Sequence, residues 1–257
     1  MLLETKVGKK PKVSIIIPVY NAKKVFKETL DSIEAQSYDN WEVVIVDDCS
    51  TDGSLEYITE LVGHNKKYKV YSMEQNSGPG AATAYGFEKS SGDLVAFLDS
   101  DDVWSNDKLE KQVRFMLDND YEFTCTDYEQ VDGDSKPIGR VIKCKPRANY
   151  RNILRTNPVG SSTVIITAEL LNKVDIPLIR KDNDYALWLE LLKVTSYIYG
   201  MNEILMFYRV WPQSISYNRF KSVKYHWEVY KKYEKFSSLH SILLIVMWGI
   251  IKVFRIK

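Results

Sequence analysis

GDLVAFLDSDDVW, residues 92–104, joins an apolar run to an acidic turn: residues 94–98 carry no charge, and Asp99, Asp101 and Asp102 then put three carboxylates into four positions. An unbroken apolar run of this length reads as a strand buried on both faces, the kind found in parallel sheets. Carboxylates a few ångströms apart raise one another's pKa unless a cation sits among them. The turn is therefore either solvated or half of a site for Mg²⁺ or Mn²⁺, which take oxygen ligands from one or two carboxylates plus substrate phosphates.

Working outward, the same strand type recurs upstream as VSIIIPV (13–19), WEVVIVD (41–47) and YKVYSM (68–73). Helical spacing separates them: Val25, Phe26, Leu30 and Ile33 in one segment, a second helix running to Leu61 with Asp52 and Ser54 as cap candidates, and a third opened by Gly78 and Gly80 and running to Phe87. Alternation of this kind predicts an α/β fold with a mostly parallel central sheet and helices on both faces, and in such sheets ligands bind beyond the carboxyl ends of the strands. Those ends carry Pro18, Val19, Tyr20 and Asn21; Asp47, Asp48, Cys49 and Ser50; and the acidic turn. An Asp at a strand end can accept an imide N–H from a base, and Tyr20 offers a stacking face. GPGAAT (78–83) is not a dinucleotide fingerprint, because the third glycine is missing and it follows the third strand; a phosphate cradle and a plain helix-opening turn explain it equally well.

Beyond Asp102 the pattern loosens. It predicts a helix over 108–117, a strand FTCTDY (123–128), a polar hairpin at 132–135, a strand SSTVIIT (161–167), a short helix to Leu171, and a helix over 182–192 entered through acids. Trp188 shares that helix's apolar side with Leu187, Leu191 and Leu192, a spacing that fits a core residue and a sugar platform equally. Asn21 and Asp52 read as caps.

Composition narrows the class. The chain has 257 residues with 35 Lys plus Arg against 34 Asp plus Glu, a formal charge of +1, so no global field favours nucleic acid. Three cysteines, Cys49, Cys125 and Cys144, suit neither a disulfide framework nor a zinc site, and His64, His226 and His240 share no ligand spacing. No signal-peptide pattern opens the chain, so a cytoplasmic protein is expected. Near the other end, LHSILLIVMWGIIKVF (239–254) has ten residues, 242–251, without charge. Ten helical residues rise about 15 Å, half of a bilayer core. Lys221, Lys224, Lys231, Lys232 and Lys235 precede this segment and Lys252, Arg255 and Lys257 follow or close it, with Tyr225, Trp227, Tyr230, Tyr233 and Trp248 interleaved. The pattern fits in-plane contact with a membrane surface, and equally a helix docked on the protein's own core or on a second subunit.

Five blocks in order, PVYN (18–21), VDDCSTD (46–52), GDLVAFLDSDDVW (92–104), NDYALWL (183–189) and FYRVWPQSIS (207–216), resemble the family 2 glycosyltransferases of GT-A fold, nearest to bacterial teichuronic-acid and capsular-polysaccharide glycosyltransferases. The resemblance implies a Rossmann-like GT-A domain over 1–217, with a nucleotide-binding half at 12–104 and an acceptor half at 105–217, followed by a C-terminal basic and aromatic helical extension at 218–257. It implies inverting hexosyl transfer, dependent on Mn²⁺ or Mg²⁺, from a nucleotide-diphosphate sugar, most often UDP-linked, to a hydroxyl of a lipid-linked cell-surface glycan at the inner face of the membrane. On these positions Pro18 and Tyr20 would border the base, Asp48 would bond to it, and Asp99 would lie near the ribose. Asp101 would hold the metal, Asp102 would support either neighbour, Asp184 would be the base, Arg209 would approach the diphosphate and Trp188 would line the acceptor side. Two departures stand out: Asn183 where many relatives have Glu, with Asp182 as its nearest substitute, and Thr83 where Arg is common. A catalytically silent nucleotide-sugar or polysaccharide-binding module is the alternative from another class. A nucleotidyltransferase is a weaker one, since PVYNAKKVF has no glycine.

Overall fold

The protein, described by a computed structural model over residues 10–210 and 219–254, begins with the expected alternation. Strands β1 (Val13–Val19), β2 (Trp41–Asp47), β3 (Tyr68–Ser72) and β4 (Leu94–Phe97) are joined by helices α1 (Phe26–Glu34), α2 (Ser54–Val62) and α3 (Pro79–Glu88). All pairings within this block are parallel, in the order β3-β2-β1-β4. The order reverses at β1, which places a crevice between the carboxyl ends of β1 and β4.

The second half is mixed. It comprises β5 (Val103–Trp104), α4 (Lys108–Asn119), β6 (Phe123–Val131), β7 (Pro137–Ile142), β8 (Arg147–Ala148), α5 (Tyr150–Arg155), β9 (Ile165–Thr167), α6 (Ala168–Leu171), α7 (Asn183–Val194), β10 (Ile198–Arg209), α8 (Arg219–Glu228) and α9 (Ser238–Phe254). The sheet continues β4-β9-β6-β10-β5, with β9 antiparallel to both neighbours and β6 parallel to β10. The strand expected over 161–167 is shorter than its β-branched composition suggests, because Ser161–Thr163 wind into a 3₁₀ turn ahead of β9. Ser162 is drawn there by polar contacts under the acidic turn, described below. The polar hairpin at 132–135 is the β6–β7 connection.

Alternation along β1 divides the core into two layers, one on each face of the sheet. Ile15 and Ile17 pack with Phe26, Leu30 and Trp104. Ile16 faces the other way, toward Phe97, Phe123, Trp188 and Leu191. Val229, Tyr230 and Leu244, from the segment after residue 218, belong to that second layer. The segment is thus built into the core instead of standing off from it. Among the described residues no helix is long and apolar enough to cross a membrane.

Candidate active site

The crevice opens because β1 and β4 stop pairing. Their register ends at Ile16↔Phe97, followed by one more bond from Leu98 N–H to the Ile16 carbonyl at 3.1 Å. In a parallel ladder alternate residues face the same neighbour, so Pro18 turns toward β4 as Ile16 does. Proline has no N–H to offer there, and the strands part at the position where the ladder would lose a bond. Just past the ends of β1 and β2 the backbone is strained: Asn21 has φ +54° and Cys49 has φ +60°, a region that is costly for side chains other than Asn or Asp. The two loops are stapled together, Asn21 N–H donating to Ser50 Oγ at 2.9 Å and Thr51 N–H to Asn21 Oδ1 at 2.8 Å. Tyr20, at the rim, is 50% exposed and available for stacking.

The three acids of the turn have different surroundings. Asp102 is buried and fully engaged: Ser162 Oγ donates to one carboxylate oxygen at 2.5 Å and Arg209 N–H to the other at 3.2 Å. Thr29 Oγ bonds the carbonyls of Ser100 and Asp102, and the buried Arg209 guanidinium donates to the carbonyls of Asp101 and Gly133 and pairs with Glu28 at 2.6 Å. Asp102, Ser162, Thr29 and Arg209 therefore build the turn. Asp99 and Asp101 are the acids it presents, since among the described residues no other side chain hydrogen-bonds to their carboxylates. Burial raises all three acids, and Asp99 stands at about 7 through burial and the charges of Asp101 and Asp184. No group of three or more acids, histidines or cysteines forms a metal cage among the described residues. Two crowded carboxylates without donors fit a hard divalent ion that completes its shell from a diphosphate.

Across the crevice, α7 begins at Asn183, after Asp182 adopts φ +58°. Asp184, in its first turn, is close enough to Asp99 for the two charges to interact. Burial and the charge of Asp182 lift Asp184 to about 6, while backbone N–H groups and His226 act the other way. His226, on α8, places Nδ1 2.8 Å from an Asp182 carboxylate oxygen and stacks on Tyr185, and Trp248 of α9 packs on the His226 ring at 4.7 Å. The C-terminal helices thus brace the acid two residues ahead of Asp184.

Asp48 is committed more deeply than the sequence suggests. Its two carboxylate oxygens accept Ser77 N–H and Gly78 N–H, each at 2.7 Å, so it shapes the glycine turn and keeps lone pairs for one further donor. Asp47 accepts Ser50 N–H at 2.9 Å, and its other oxygen is buried without a hydrogen-bond partner among the described residues. Gly78, at φ +91°, and Gly80 permit close approach of the 177–180 loop: a Cβ on Gly80 would collide with the Pro177 carbonyl. The glycines serve packing at this turn. Arg180, on that loop, donates to the side chain and the carbonyl of Asn76, both at 2.7 Å, tying the approach to α7 to the donor side.

The structure thus brings Pro18, Tyr20, Asp48, Asp99, Asp101 and Asp184 to one crevice. Two expectations change. Trp188 does not line the acceptor side: it is 1% exposed and packs between Phe97 and Phe123, so the helical spacing marked core. Arg209 lies beneath the acidic turn as its brace, with its side chain fully buried. Tyr128, His226 and Arg180 escape a reading of the sequence. For Tyr128 the only signal is its place at the end of FTCTDY; it feels the charges of Asp102 and Asp184, and burial pushes its hydroxyl up to about 12. Residues 211–216 of the last motif, Arg255 and Lys257 lie outside the described residues, as do the side chains of Lys221 and Lys252.

Comparison with known proteins gives a consistent picture. The model of the family described as Glycosyl transferase family 2 matches residues 14–173. TuaG of Bacillus subtilis, named as a teichuronic acid biosynthesis glycosyltransferase, is 38% identical over 240 residues, 93% of this chain and 95% of its own. WfgD of Escherichia coli, a UDP-Glc:alpha-D-GlcNAc-diphosphoundecaprenol beta-1,3-glucosyltransferase, is 35% identical over 219 residues, 84% of each chain. S. aureus TarS 1-349, solved in complex with UDP-GlcNAc, superposes with a TM-score of 0.69 at 22% identity over 92% of this chain and 71% of that one, a likeness of fold. This chain spans 42% of the longer TarS chain.

Proposed function

From the premise that the chain belongs to glycosyl transferase family 2 and is a glycosyltransferase, we propose that it moves a sugar, with inversion, from a UDP-sugar to a hydroxyl of a lipid-linked cell-surface glycan. The observation that carries this reading is that Asp184, in the first turn of α7 and raised to about 6 by burial and Asp182, lies near enough to the end of β4 for its charge to act on Asp99. At neutral pH Asp184 is mostly ionised, yet basic enough to take a proton from an attacking hydroxyl. In-line displacement needs that base on the side of the sugar away from the leaving diphosphate. Residues 12–104 bind the donor, with Tyr20 stacking on the base at a site bordered by Pro18, Asp48 receiving its imide N–H and Asp99 near the ribose. Residues 105–217 form the acceptor side. Asp101 would hold Mn²⁺ or Mg²⁺ together with the donor diphosphate, and the ion would supply positive charge against that developing on the leaving group. Arg209 acts on the diphosphate indirectly, by holding the Asp101 carbonyl.

The acceptor class is supported by the relative WfgD, whose name specifies a diphosphoundecaprenol acceptor, and by α9. One side of α9 docks on the core through Ser241 and Leu244, while Leu239, Ile242, Leu243, Val246 and Ile250 form an exposed apolar stripe. With the neighbouring lysines it supports peripheral attachment to the cytoplasmic face of the membrane. The direct test is calorimetric titration of UDP, GDP, CDP and TDP into the full chain with Mn²⁺ and then with chelator. Metal-dependent binding of UDP is expected; binding of none of the four would favour a silent module.

A further inference from the structure

A second concavity, ≈ 390 Å³, lies between α5 and α9. Its floor is apolar, made by Leu154, Phe236, Leu244 and Met247, and its rim carries Arg151 and Arg155. The two arginines are four residues apart on α5 and so share one side of it. Both are exposed, and neither guanidinium has an ion-pair or hydrogen-bond partner among the described residues. Glu234, which Tyr150 of α5 bonds at 2.5 Å, is paired with Lys193 at 3.0 Å.

Two continuities define what such a groove can hold. On the inner side, the Leu154 carbonyl accepts the hydroxyl of Tyr185 at 3.1 Å, and Tyr185 follows Asp184 in α7, so one wall of the groove is bonded to the helix that carries the base. On the outer side, Leu243 of the exposed stripe lies one helical turn from Met247 on α9, so the stripe borders the apolar floor. Unpaired guanidinium forks match phosphate oxygens in bidentate geometry, and an apolar floor takes hydrocarbon. An anion joined to a hydrocarbon chain that continues toward a bilayer answers both features at once.

We propose that this groove holds the diphosphate and the first isoprenoid units of a polyprenyl-diphosphate acceptor, Arg151 and Arg155 binding the diphosphate while Leu244 and Met247 receive the chain. The site deepens the lipid-linked acceptor reading given above and rests on it.

Farnesyl diphosphate is a soluble probe of this chemistry. It is titrated into the full chain with chelator present, so that Asp101 holds no metal and the donor site is silent. Farnesol, inorganic diphosphate and short-chain phosphatidylglycerol are titrated beside it. Farnesyl diphosphate is expected to bind more tightly than the other three. Arg151→Ala with Arg155→Ala should weaken it by about tenfold or more, the worth of a lost charge-assisted contact. Met247→Trp, which fills the floor and leaves both arginines, should weaken it as well. Metal-dependent UDP binding, unchanged in both variants, shows that the fold and the donor site are intact. With UDP binding retained, farnesyl diphosphate affinity that is unmoved by either variant, or matched by phosphatidylglycerol, overturns the groove assignment and leaves the glycosyltransferase standing. If no acceptor carrying a lipid diphosphate is glycosylated at all, the underlying acceptor reading fails, a separate result.

Discussion

The two lips of the crevice hold their carboxylates by opposite means. The lip at residues 99–102 is braced by Thr29 of α1, Ser162 of the turn before β9 and Arg209 of β10. The lip at residues 182–184 leans on His226 and, through its ring, on Trp248, both from the C-terminal helices. One lip is held by buried side chains of the core. The other depends on elements that also carry an exposed apolar stripe, so damage to the C-terminal segment should spare donor binding and harm transfer.

The largest expected effect breaks this comparison at its chemical end. Asp184→Asn should cut kcat by about a thousandfold, within the range for a lost general base. UDP titration in the same variant should be unchanged; wild-type turnover would remove Asp184 from the mechanism. Arg209→Ala should act on the other lip and on the whole molecule. Removing a buried cation that holds Glu28 and the carbonyls of Asp101 and Gly133 should cost about 3 kcal/mol or more in denaturant unfolding and abolish metal-dependent UDP binding.

The adjacent acids sharpen the contrast. Asp101→Asn should weaken UDP binding in Mn²⁺ by about tenfold to a hundredfold, the size of a charge-assisted contact, with the unfolding midpoint unmoved. Asp102→Asn should do the reverse, losing about 1 kcal/mol of stability through its bond to Ser162 while binding remains measurable. Equal behaviour of the two variants would erase the division between acids that build the turn and acids that face the crevice.

The smallest effect concerns pH. Asp184 must be ionised to accept a proton, so kcat should fall as pH drops through about 6. The His226 ring, when it carries a proton, acts on Asp184 against the charge of Asp182, in the direction of lower proton affinity. His226→Gln should raise that affinity and move the acidic limb of the kcat profile upward by less than about one pH unit, a fraction of the free energy of an ion pair. An unmoved limb would reduce His226 to packing.

How legible this was in the sequence follows the same division. The parallel block could be read because β1, β2 and β4 are buried on both faces and leave unbroken apolar runs. β10 could not, since register shifts between Met201 and Ile204 and between Ile204 and Met206 break its alternation. The acids themselves were visible as a cluster, and their separate roles were not. What distinguishes Asp102 from Asp101 is Ser162, 60 residues away, and the Arg209 backbone, 107 residues away. Local spacing carries no information about contacts of that range. Trp188 shows the limit in reverse: its position on an apolar helical face is legible, and whether that face meets sheet or sugar depends on Phe97 and Phe123, which lie on other strands.

The packing of Trp248 on His226 makes α9 and the base partners in a reciprocal linkage. If seating α9 strengthens the His226 pair with Asp182 and so makes Asp184 more acidic, ionising Asp184 must tighten the seating of α9 by the same free energy. A lipid surface that favours the seated helix would then be felt in the crevice as a change in proton affinity, and acidification would be felt at the surface as a weaker grip.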